Sequence, residues 1–316
     1  MKKLLSIVIP AYNEEGNIIN LYSEIIESLE RDFKDFDYEI IFVNDGSTDK
    51  TWDEINECKK RNNKVIWINL NRNYGQAIAL QVWFDEAKGD LIFSLDGDWQ
   101  NDPKDFIRLY NKLIEEKLDV VAWWRKKRKD PNWMLVITKS ARFLRWLLIK
   151  DWVHDSWCTL RIYKKEVIKN LNLWGEMHRY IIALCKINWY KIWEIVVNHR
   201  PRTIWTSKYN WKKSFKWLID LIYIWFISKY QWRPLHLFWF LGLVNFFVGW
   251  FMILWALLKK IAYNIDISNS WFFIMWIFLF EIGLLLFLFG IIIDLLIRIN
   301  INTDEKVKKY IIRDRI

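Results

Sequence analysis

Acidic side chains gather where an apolar stretch ends, in the sequence FSLDGDWQNDP at residues 93–103. Asp96 and Asp98 flank Gly97, so two carboxylates one residue apart can converge on a single cation. Mg²⁺ and Mn²⁺ prefer such oxygen ligands and complete their coordination with water and phosphate oxygens. A solvated acidic turn would also look like this, so the meaning of the pair depends on the elements that position it.

Three apolar runs each end in a polar cluster. They are LLSIVIP at 4–10, YEIIFVN at 38–44 and DLIFSL at 90–95. Runs without apolar–polar alternation are typical of strands buried on both faces of a parallel sheet. Helical patterns follow them, at 15–31, 49–61 and 75–87. This strand–helix order predicts an α/β fold, in which ligands bind beyond the carboxyl ends of the strands.

The amino-acid composition limits the classes of molecule that this protein could bind. The 316 residues carry 47 Lys and Arg against 37 Asp and Glu, a net charge of +10. This sign fits nucleic acid, an anionic membrane surface or a phosphorylated substrate, but the sequence contains no recognisable nucleic-acid-binding motif. The three cysteines, Cys58, Cys158 and Cys185, are scattered without metal-ligand spacing, which suits a reducing compartment.

Two long apolar segments lie near the C-terminus. Residues 234–258 hold no charged side chain, and residues 271–297 hold only Glu281 and Asp294. Both exceed the roughly 20 residues that span a bilayer, so we expect a transmembrane hairpin rather than two buried core helices. Glu281 is a candidate for a packing or oligomer contact, or for an acid that is protonated in place.

The distribution of basic residues predicts the orientation of that hairpin. The tail 298–316 carries six Lys and Arg, whereas the short link carries only Lys259 and Lys260. The positive-inside rule then places residues 1–210 and the tail in the cytoplasm. Basic amphipathic segments at 134–150, with Lys139, Arg142 and Arg145, and at 211–228 are expected to lie in the membrane interface, or else to be ordinary surface helices.

Six motifs occur in a fixed order before the two apolar segments: IPAYNEEGNI, FVNDGSTDKT, NRNYGQ, LDGDWQNDP, HDSWCTLRIY and GEMHRY. This ordered set resembles family 2 glycosyltransferases that charge a polyprenyl phosphate with a sugar, such as dolichol-phosphate mannosyltransferase and undecaprenyl-phosphate glycosyltransferases. The resemblance covers essentially the whole chain. It implies a GT-A nucleotide-sugar fold, a UDP- or GDP-sugar donor, a divalent cation (Mg²⁺ or Mn²⁺) and inversion at the anomeric carbon.

The resemblance also implies roles for individual residues. On the donor side it implies nucleotide contacts for Pro10, Ala11, Tyr12, Glu14, Asp45 and Asp96, and diphosphate contacts in the late basic loop for Arg202, Ser207 and Lys208. At the reaction centre it implies metal ligation by Asp96 and Asp98, and roles for Gln100, Arg125 and Asp155. On the acceptor side it implies Arg161 and His178.

The chemistry of such a reaction is mainly electrostatic. A lipid phosphate is already anionic near neutral pH and needs no strong general base. The incoming phosphate and the leaving nucleotide diphosphate repel each other, so a cation and basic side chains must offset that repulsion. The chain also supplies Arg200 for this task, whereas Lys126, Lys127 and Arg128, which follow Arg125, are interpreted as surface residues. Asp155 is either a base or a residue that orients Arg161, and His154 and His199 are interpreted as hydrogen-bonded structural histidines.

Two other functions stay open from the sequence. One is a family 2 transferase with a different acceptor, such as a polysaccharide or a diacylglycerol, although no QxxRW-like motif of processive synthases is present. The other is an inactive, membrane-anchored protein that binds nucleotide sugar and scaffolds partners.

Tryptophan is unusually common, with 23 Trp against 10 Gly, where about 22 Gly would be ordinary for this length. Several Trp stand where the resembled family carries Gly: Trp83, Trp123, Trp157, Trp193 and Trp205, with Trp99 and Trp152 as further candidates. A gene that uses UGA for glycine, translated with UGA as Trp, would give this pattern. UGG codons at Trp157 and Trp205 would contradict this hypothesis, and aromatic membrane belts would then explain only the Trp near the spans.

Overall fold

A computed structural model describes residues 2–124, 143–150, 153–154, 159–171, 173, 177–196, 200, 211–230, 233–263, 271–302 and 312–315. For residues 211–218, 271–272, 297–302, 312, 313 and 315 the backbone alone is described. The chain forms two compact units, one of residues 1–221 with 308–316 and one of residues 222–307.

The first half of the first unit is a parallel α/β sheet. Its strands are β1 (Leu4–Ala11), β2 (Asp37–Asn44), β3 (Val65–Leu70) and β4 (Leu91–Ser94). They lie in the order β3-β2-β1-β4, all parallel. The connecting helices are α1 (Ile18–Asp32), α2 (Thr51–Arg61) and α3 (Gln76–Glu86). The carboxyl ends of the four strands therefore share one edge of the sheet.

The second half adds mixed strands. They are β5 (Val120–Trp124), β6 (Arg161–Lys164) and β7 (Ile192–Val196). Strand β6 lies antiparallel between β4 and β5, and β7 is parallel to β5. Helices of this half are α4 (Phe106–Glu115), α5 (residues 143–149), α6 (Lys165–Lys169) and α7 (Ile181–Ile187). Because β5 and β7 run parallel to β4, their carboxyl ends lie at the same edge as Asp96.

Side chains alternate between the two faces of the sheet. Leu5, Ile7 and Ile9 of β1 belong to a core that also holds the apolar faces of α1, α2 and α4. Val8 points to the opposite face, where α3 buries Ala79, Val82 and other side chains. The sheet is therefore covered on both faces, which is why its central strands are apolar throughout.

The three strands predicted from apolar runs are confirmed as β1, β2 and β4, and the α/β class is confirmed with them. The helical patterns at 15–31, 49–61 and 75–87 correspond to α1, α2 and α3. Strands β3, β6 and β7 were not predicted, and neither was the C-terminal strand β8 (Ile312–Arg315). Strand β6 has only four residues, and such short segments carry little periodic signal.

The second unit contains two long apolar helices, α9 (Pro234–Tyr263) and α10 (Trp271–Asn302), preceded by α8 (Trp211–Tyr230), which begins in the first unit. Windows of α9 and α10 have mean hydropathies of 2.1 and 2.6, so both are candidate membrane spans by length and composition. The two helices approach closely at Gly242 and Gly283. A Cβ added to Gly242 would lie only 2.8 Å from the carbonyl oxygen of Gly283, so only glycine fits there. Glu281 is exposed on α10.

The predicted tail, 298–316, is divided between two elements. Helix α10 continues to Asn302, and Ile312–Arg315 forms strand β8, which pairs antiparallel with β3 at the edge of the sheet. Asp314 lines a cavity of about 410 Å³ together with the turns that follow β2 and β3. Residues 308–316 are therefore part of the first compact unit.

Helix α5 covers the described part of the predicted interface helix 134–150. Arg145 was expected on its basic face, but it is 5% exposed, and its Nη2 donates to the carbonyl of Val153 at 2.5 Å. Phe143, Trp146 and Leu147 are the exposed side chains instead. The helix therefore presents apolar residues outward and turns this cation inward, which corrects the prediction for Arg145.

Tryptophans occupy two kinds of position that suit a smaller residue. Trp99 and Trp189 have positive φ, 57° and 62°, in the left-handed region that favours glycine. Trp83 is fully buried, and its indole N–H has no hydrogen-bond partner within the described part of the chain. Trp123 is fully buried and Trp193 is half exposed, while Trp152, Trp157 and Trp205 lie outside the described residues.

Candidate active site

The Asp96-Gly97-Asp98 turn follows β4 and lies against the end of β1. A Cβ on Gly97 would lie 3.2 Å from the carbonyl oxygen of Pro10 and 3.5 Å from the Cβ of Ala11. Gln76, at the start of α3, donates from Nε2 to Oδ1 of Asp96 at 2.8 Å. The backbone amide of Gln100 donates to Oδ1 of Asp98 at 3.2 Å. The structure thus brings the predicted carboxylates to the predicted β1 residues.

Asp45 is buried at the end of β2 and holds the loop before α3. Its carboxylate accepts hydrogen bonds from the backbone amides of Tyr74, at 2.7 Å, and Gly75, at 2.9 Å. Burial raises the pKa of Asp45 to about 6, although these two hydrogen bonds oppose the rise. Both oxygens keep a further lone pair, so the carboxylate remains able to accept from a ligand.

The turns after β1 and β2 are joined by hydrogen bonds between side chains and backbone. The amide of Glu14 donates to the hydroxyl of Thr51 at 2.7 Å, and the amide of Asn13 donates to the hydroxyl of Ser47 at 3.0 Å. Asn17 donates to the Glu14 carboxylate at 2.9 Å. Tyr12 is exposed beside them. This network fixes the two turns relative to each other.

Arg161 begins strand β6 at the edge of the sheet where β4 ends and Asp96 follows. It is 1% exposed, and it is the register partner of Ser94 on β4 and Ala122 on β5. Ala122 in turn is the partner of Glu194 on β7. The side chains of register partners point to the same face of a sheet. The buried Arg161 and the buried Glu194 therefore lie on the face that α3 covers, together with Ser94. Ser94 is two residues before Asp96 in the chain.

His178 lies in a 3₁₀ turn, Met177–Tyr180, that precedes α7. Burial lowers its pKa to about 3, and the cations of Arg179 and Arg161 contribute to the shift. The imidazole is therefore neutral at physiological pH and is unsuited to donate a proton there. It is a neutral neighbour of Arg161 in this arrangement.

Arg200 precedes the predicted basic loop. It pairs with Glu24 at 2.8 Å and with Asp102 at 3.0 Å, and its guanidinium lies over the ring of Trp99 at 5.6 Å. Its amide donates to the carbonyl of Gln100 at 3.3 Å. Two carboxylates already compensate this cation, so it anchors the start of the loop to the acidic segment rather than adding to the free positive charge.

Five of the predicted site residues cannot be placed. Arg125, Asp155, Arg202, Ser207 and Lys208 lie outside the described residues. Their implied roles remain predictions. The placed residues are Pro10, Ala11, Tyr12, Glu14, Asp45, Asp96, Asp98, Gln100, Arg161 and His178.

Among the described residues, Asp96 and Asp98 can bind a divalent cation only together with ligands that these residues do not supply. Among them there is no group of three or more His, Cys, Asp or Glu side chains arranged to hold a metal. Asp96 and Asp98 offer hard oxygen donors, which suit Mg²⁺ or Mn²⁺ bound by one or two carboxylates together with phosphate and water. The residues therefore fit a cation that arrives with a phosphorylated substrate.

Comparison with known proteins adds the decisive observation. Glycosyl transferase family 2 matches residues 6–171, which include strands β2 to β6, most of β1, and Glu14, Asp45, Asp96 and Asp98. The chain belongs to glycosyltransferase family 2. The protein is thus a glycosyltransferase.

Similar proteins agree with this assignment. The glycosyltransferase is 32% identical over 313 residues to dodecaprenyl-phosphate galacturonate synthase of Rhizobium johnstonii. The alignment covers 98% of this chain and 92% of the relative. It is 34% identical to undecaprenyl-phosphate 4-deoxy-4-formamido-L-arabinose transferase of Proteus mirabilis, with 69% of this chain and 66% of the relative covered.

Solved structures resemble its fold. Glucosyl-3-phosphoglycerate synthase of Mycobacterium tuberculosis, in complex with Mn²⁺, UDP-glucose and phosphoglyceric acid, matches with a TM-score of 0.52 at 16% identity. The match covers 72% of this chain and 79% of that one. The GT-A expectation for the glycosyltransferase is therefore confirmed at the level of the fold.

Gln76 and Glu194 were not assigned roles from the sequence, and His154 was interpreted only as a hydrogen-bonded structural histidine. Gln76 bonds to Asp96, Glu194 is buried on β7, and His154 pairs with Glu194 at 2.9 Å. Gln76 stands in the motif NRNYGQ, so its place directly after Gly75 at a helix start was an available signal. For the His154–Glu194 pair no signal existed, because the two residues are 40 positions apart.

Proposed function

We propose that this glycosyltransferase moves a sugar from a UDP- or GDP-sugar to a polyprenyl phosphate, with inversion, at the cytoplasmic face of a membrane. The relatives in Rhizobium johnstonii and Proteus mirabilis are named for polyprenyl-phosphate products. One observation carries the proposal: carboxylates after β4 and a buried cation on the adjacent β6 share one edge of the sheet.

On the donor side, the turns after β1 and β2 would receive the base and ribose. Pro10, Ala11, Tyr12, Glu14 and Asp45 would contact them, as the resemblance implies. Asp96 and Asp98 would hold Mg²⁺ or Mn²⁺ against the diphosphate, where the cation offsets the negative charge that grows on the leaving group. Gln76 fixes one oxygen of Asp96, which leaves the orientation of that carboxylate defined before the donor binds.

On the acceptor side, Arg161 would supply fixed positive charge. Its guanidinium is buried between β4 and β5, so its field is less screened by water than that of a surface residue. A phosphate approaching the sugar from this side would meet a cation rather than the donor diphosphate alone. Arg125, Arg202, Ser207 and Lys208 are proposed to surround the phosphates, and Asp155 to act beside Arg161.

Membrane attachment would bring the enzyme to a lipid acceptor. Helices α9 and α10 are proposed to span the bilayer as a hairpin with both chain ends cytoplasmic. The exposed Phe143, Trp146 and Leu147 of α5 would enter the interface, where aromatic side chains are favoured. Contacts between hairpins are a proposed route to homo-oligomers, with Glu281 as a candidate contact.

The test uses full-length protein in membranes with polyprenyl phosphate and a panel of labelled UDP- and GDP-sugars. We expect a labelled lipid product that requires Mg²⁺ or Mn²⁺, disappears with EDTA and has the anomeric configuration opposite to that of the donor. A parallel panel of polysaccharide and diacylglycerol acceptors tests the other acceptor classes. Transfer only to those acceptors, or binding of donors without any transfer, would refute the proposal.

A further inference from the structure

His154 is an exposed residue whose backbone is fixed by buried charges. The peptide group between Val153 and His154 is bonded on both sides. Its carbonyl accepts from Arg145 of α5 at 2.5 Å, and its amide donates to both carboxylate oxygens of Glu194 at 3.0 Å. Arg145 and Glu194 are both buried. One peptide unit is thus bonded to a buried cation and a buried anion.

The ring of His154 is fixed as well. Its Nδ1 lies 2.9 Å from Oε2 of Glu194, and the ring stacks on Trp124 with 4.2 Å between centroids and 19° between planes. A carboxylate only accepts hydrogen bonds, so Nδ1 carries the hydrogen in this pair. The other nitrogen, Nε2, lies on the opposite side of the ring, and 37% of the His154 side chain is exposed.

Burying the carboxylate of Glu194 costs free energy unless hydrogen bonds compensate for the lost water. Glu194 occupies the one buried position of β7, an edge strand, and its side chain is 3% exposed. An apolar residue there would pack without the cost of removing a carboxylate from water. The hydrogen bonds from His154 offset that cost, and their result is a histidine ring held in one orientation.

The location of this pair relates it to the reaction centre. Glu194, Ala122, Arg161 and Ser94 form one row across β7, β5, β6 and β4, on the face that also carries Gln76 and Asp96. Neighbouring strands lie about 4.8 Å apart, so Glu194 is roughly 14 Å from Ser94 along the row. Arg161 lies between them, and His154 therefore stands on the far side of that cation from the carboxylates.

We propose that His154 is a binding residue for the phosphate group of the lipid acceptor, with Glu194 and Trp124 as the residues that position its ring. In the imidazolium form the ring donates from Nδ1 to Glu194 and from Nε2 to a phosphate oxygen, while the nearby Arg161 guanidinium adds positive charge. This inference rests on the proposed function, because it concerns the acceptor of that reaction. It assigns the acceptor phosphate to the β5–β7 side of the edge and the donor to the β1–β4 side.

The experiment measures equilibrium binding of a short-chain polyprenyl phosphate, and of the matching polyprenol that lacks the phosphate, to the full chain in detergent. We expect His154→Gln to weaken polyprenyl phosphate binding on the order of tenfold or more, as loss of a charge-assisted hydrogen bond does. Polyprenol binding should stay unchanged. In turnover, the KM for the acceptor should rise while the KM for the donor stays within about twofold.

Two further variants separate positioning from folding. Glu194→Gln removes the negative charge that stabilises the imidazolium form of His154, so it should weaken phosphate binding in the same direction with His154 still present. Trp124→Phe keeps an aromatic surface and should retain most of the affinity. His236→Gln, an exposed histidine at the start of α9, is the matched control and should behave as wild type.

The inference is overturned if His154→Gln and Glu194→Gln keep wild-type affinity and acceptor KM, if polyprenol binding falls in parallel, or if only the donor KM changes. Its failure is distinct from failure of the proposed function. Wild-type protein that binds polyprenyl phosphate through His154 but transfers no sugar refutes the function alone. Active wild-type protein with an unaffected His154→Gln variant refutes the inference alone.

Discussion

The two halves of this sheet, which we propose to bind donor and acceptor and call the donor half and the acceptor half, are built differently. Around β1 to β4, the site residues follow parallel strands directly, and their turns are joined by hydrogen bonds such as those of Asp45 to the Tyr74–Gly75 loop. Around β5 to β7, the important side chains are Arg161 on an antiparallel strand and His154 beside Glu194. The donor half uses short turns, whereas the acceptor half uses buried charges brought together from distant segments.

This difference predicts that the two halves can be disabled separately. Asp98→Ala should reduce sugar transfer by at least about 100-fold, because it removes charge stabilisation at the leaving group. Polyprenyl phosphate binding, which we assign to His154, should remain. Transfer assays and acceptor binding on the same preparation check this, with the exposed Asp35→Asn as a matched carboxylate control. Loss of acceptor binding in Asp98→Ala would contradict the separation.

A second prediction concerns the crowded turns of the donor half. A Cβ on Gly46 would lie 2.5 Å from the carbonyl carbon of Arg72, and its φ is +68°. Gly46→Ala should therefore destabilise the α/β unit by about 3 kcal/mol through strain and overpacking.

The matched control is Gly75→Ala. Gly75 also has a positive φ, +91°, with ψ 158°, but its Cβ would have no atom within 4 Å, so backbone strain alone should cost about 1–2 kcal/mol. Thermal unfolding of the full chain in detergent measures both variants. Equal destabilisation would show that crowding between the two turns contributes nothing.

The pH dependence of stability should show the raised pKa of Asp45 in the donor half. The pKa of Asp45 is raised to about 6, so between about pH 4 and pH 6 the folded state holds a proton that the unfolded state has lost. The contribution of Asp45 to stability is therefore full below about pH 4 and falls as the pH rises to 6. Subtracting the unfolding curve of Asp45→Asn from that of the wild type isolates this slope. A difference that rises with pH would contradict the assignment.

The smallest predicted effect lies in the acceptor half, at the end of α7. The amides of Trp189 and Tyr190 donate to the carbonyls of Lys186 and Cys185, and Trp189 has φ 62°. This is a Schellman motif, whose left-handed residue is usually glycine. Trp189→Gly should raise stability by about 1 kcal/mol, or roughly 2–4 °C in the unfolding temperature, since the indole is 93% exposed.

The same geometry provides a positive and a negative control for that prediction. Lys117 ends α4 in the same motif with φ 50°, so Lys117→Gly should be stabilising as well. Asn188 has φ −85°, so Asn188→Gly should not be. Destabilisation by Trp189→Gly would argue that this Trp is a native choice. UGA codons at Trp189 and Trp99 would support the hypothesis that glycine is intended there.

The sequence by itself determined the strands β1, β2 and β4, the polar turns after them, and the two long apolar helices. It also brought Asp45, Asp96 and Asp98 to one edge, because parallel strands with short connections leave their carboxyl ends together. These features depend on hydrophobic periodicity and on neighbours in the chain, which a single sequence displays directly.

Only the tertiary structure decided the acceptor half. The antiparallel insertion of β6 placed Arg161 between Ser94 and Ala122, and it took the fold to bring Glu194 to His154 across 40 residues. It also turned Arg145 inward and added β8 to the edge of β3. The reason is physical: which strands become neighbours and which buried charges pair depend on contacts between segments far apart in the chain, which local periodicity does not display.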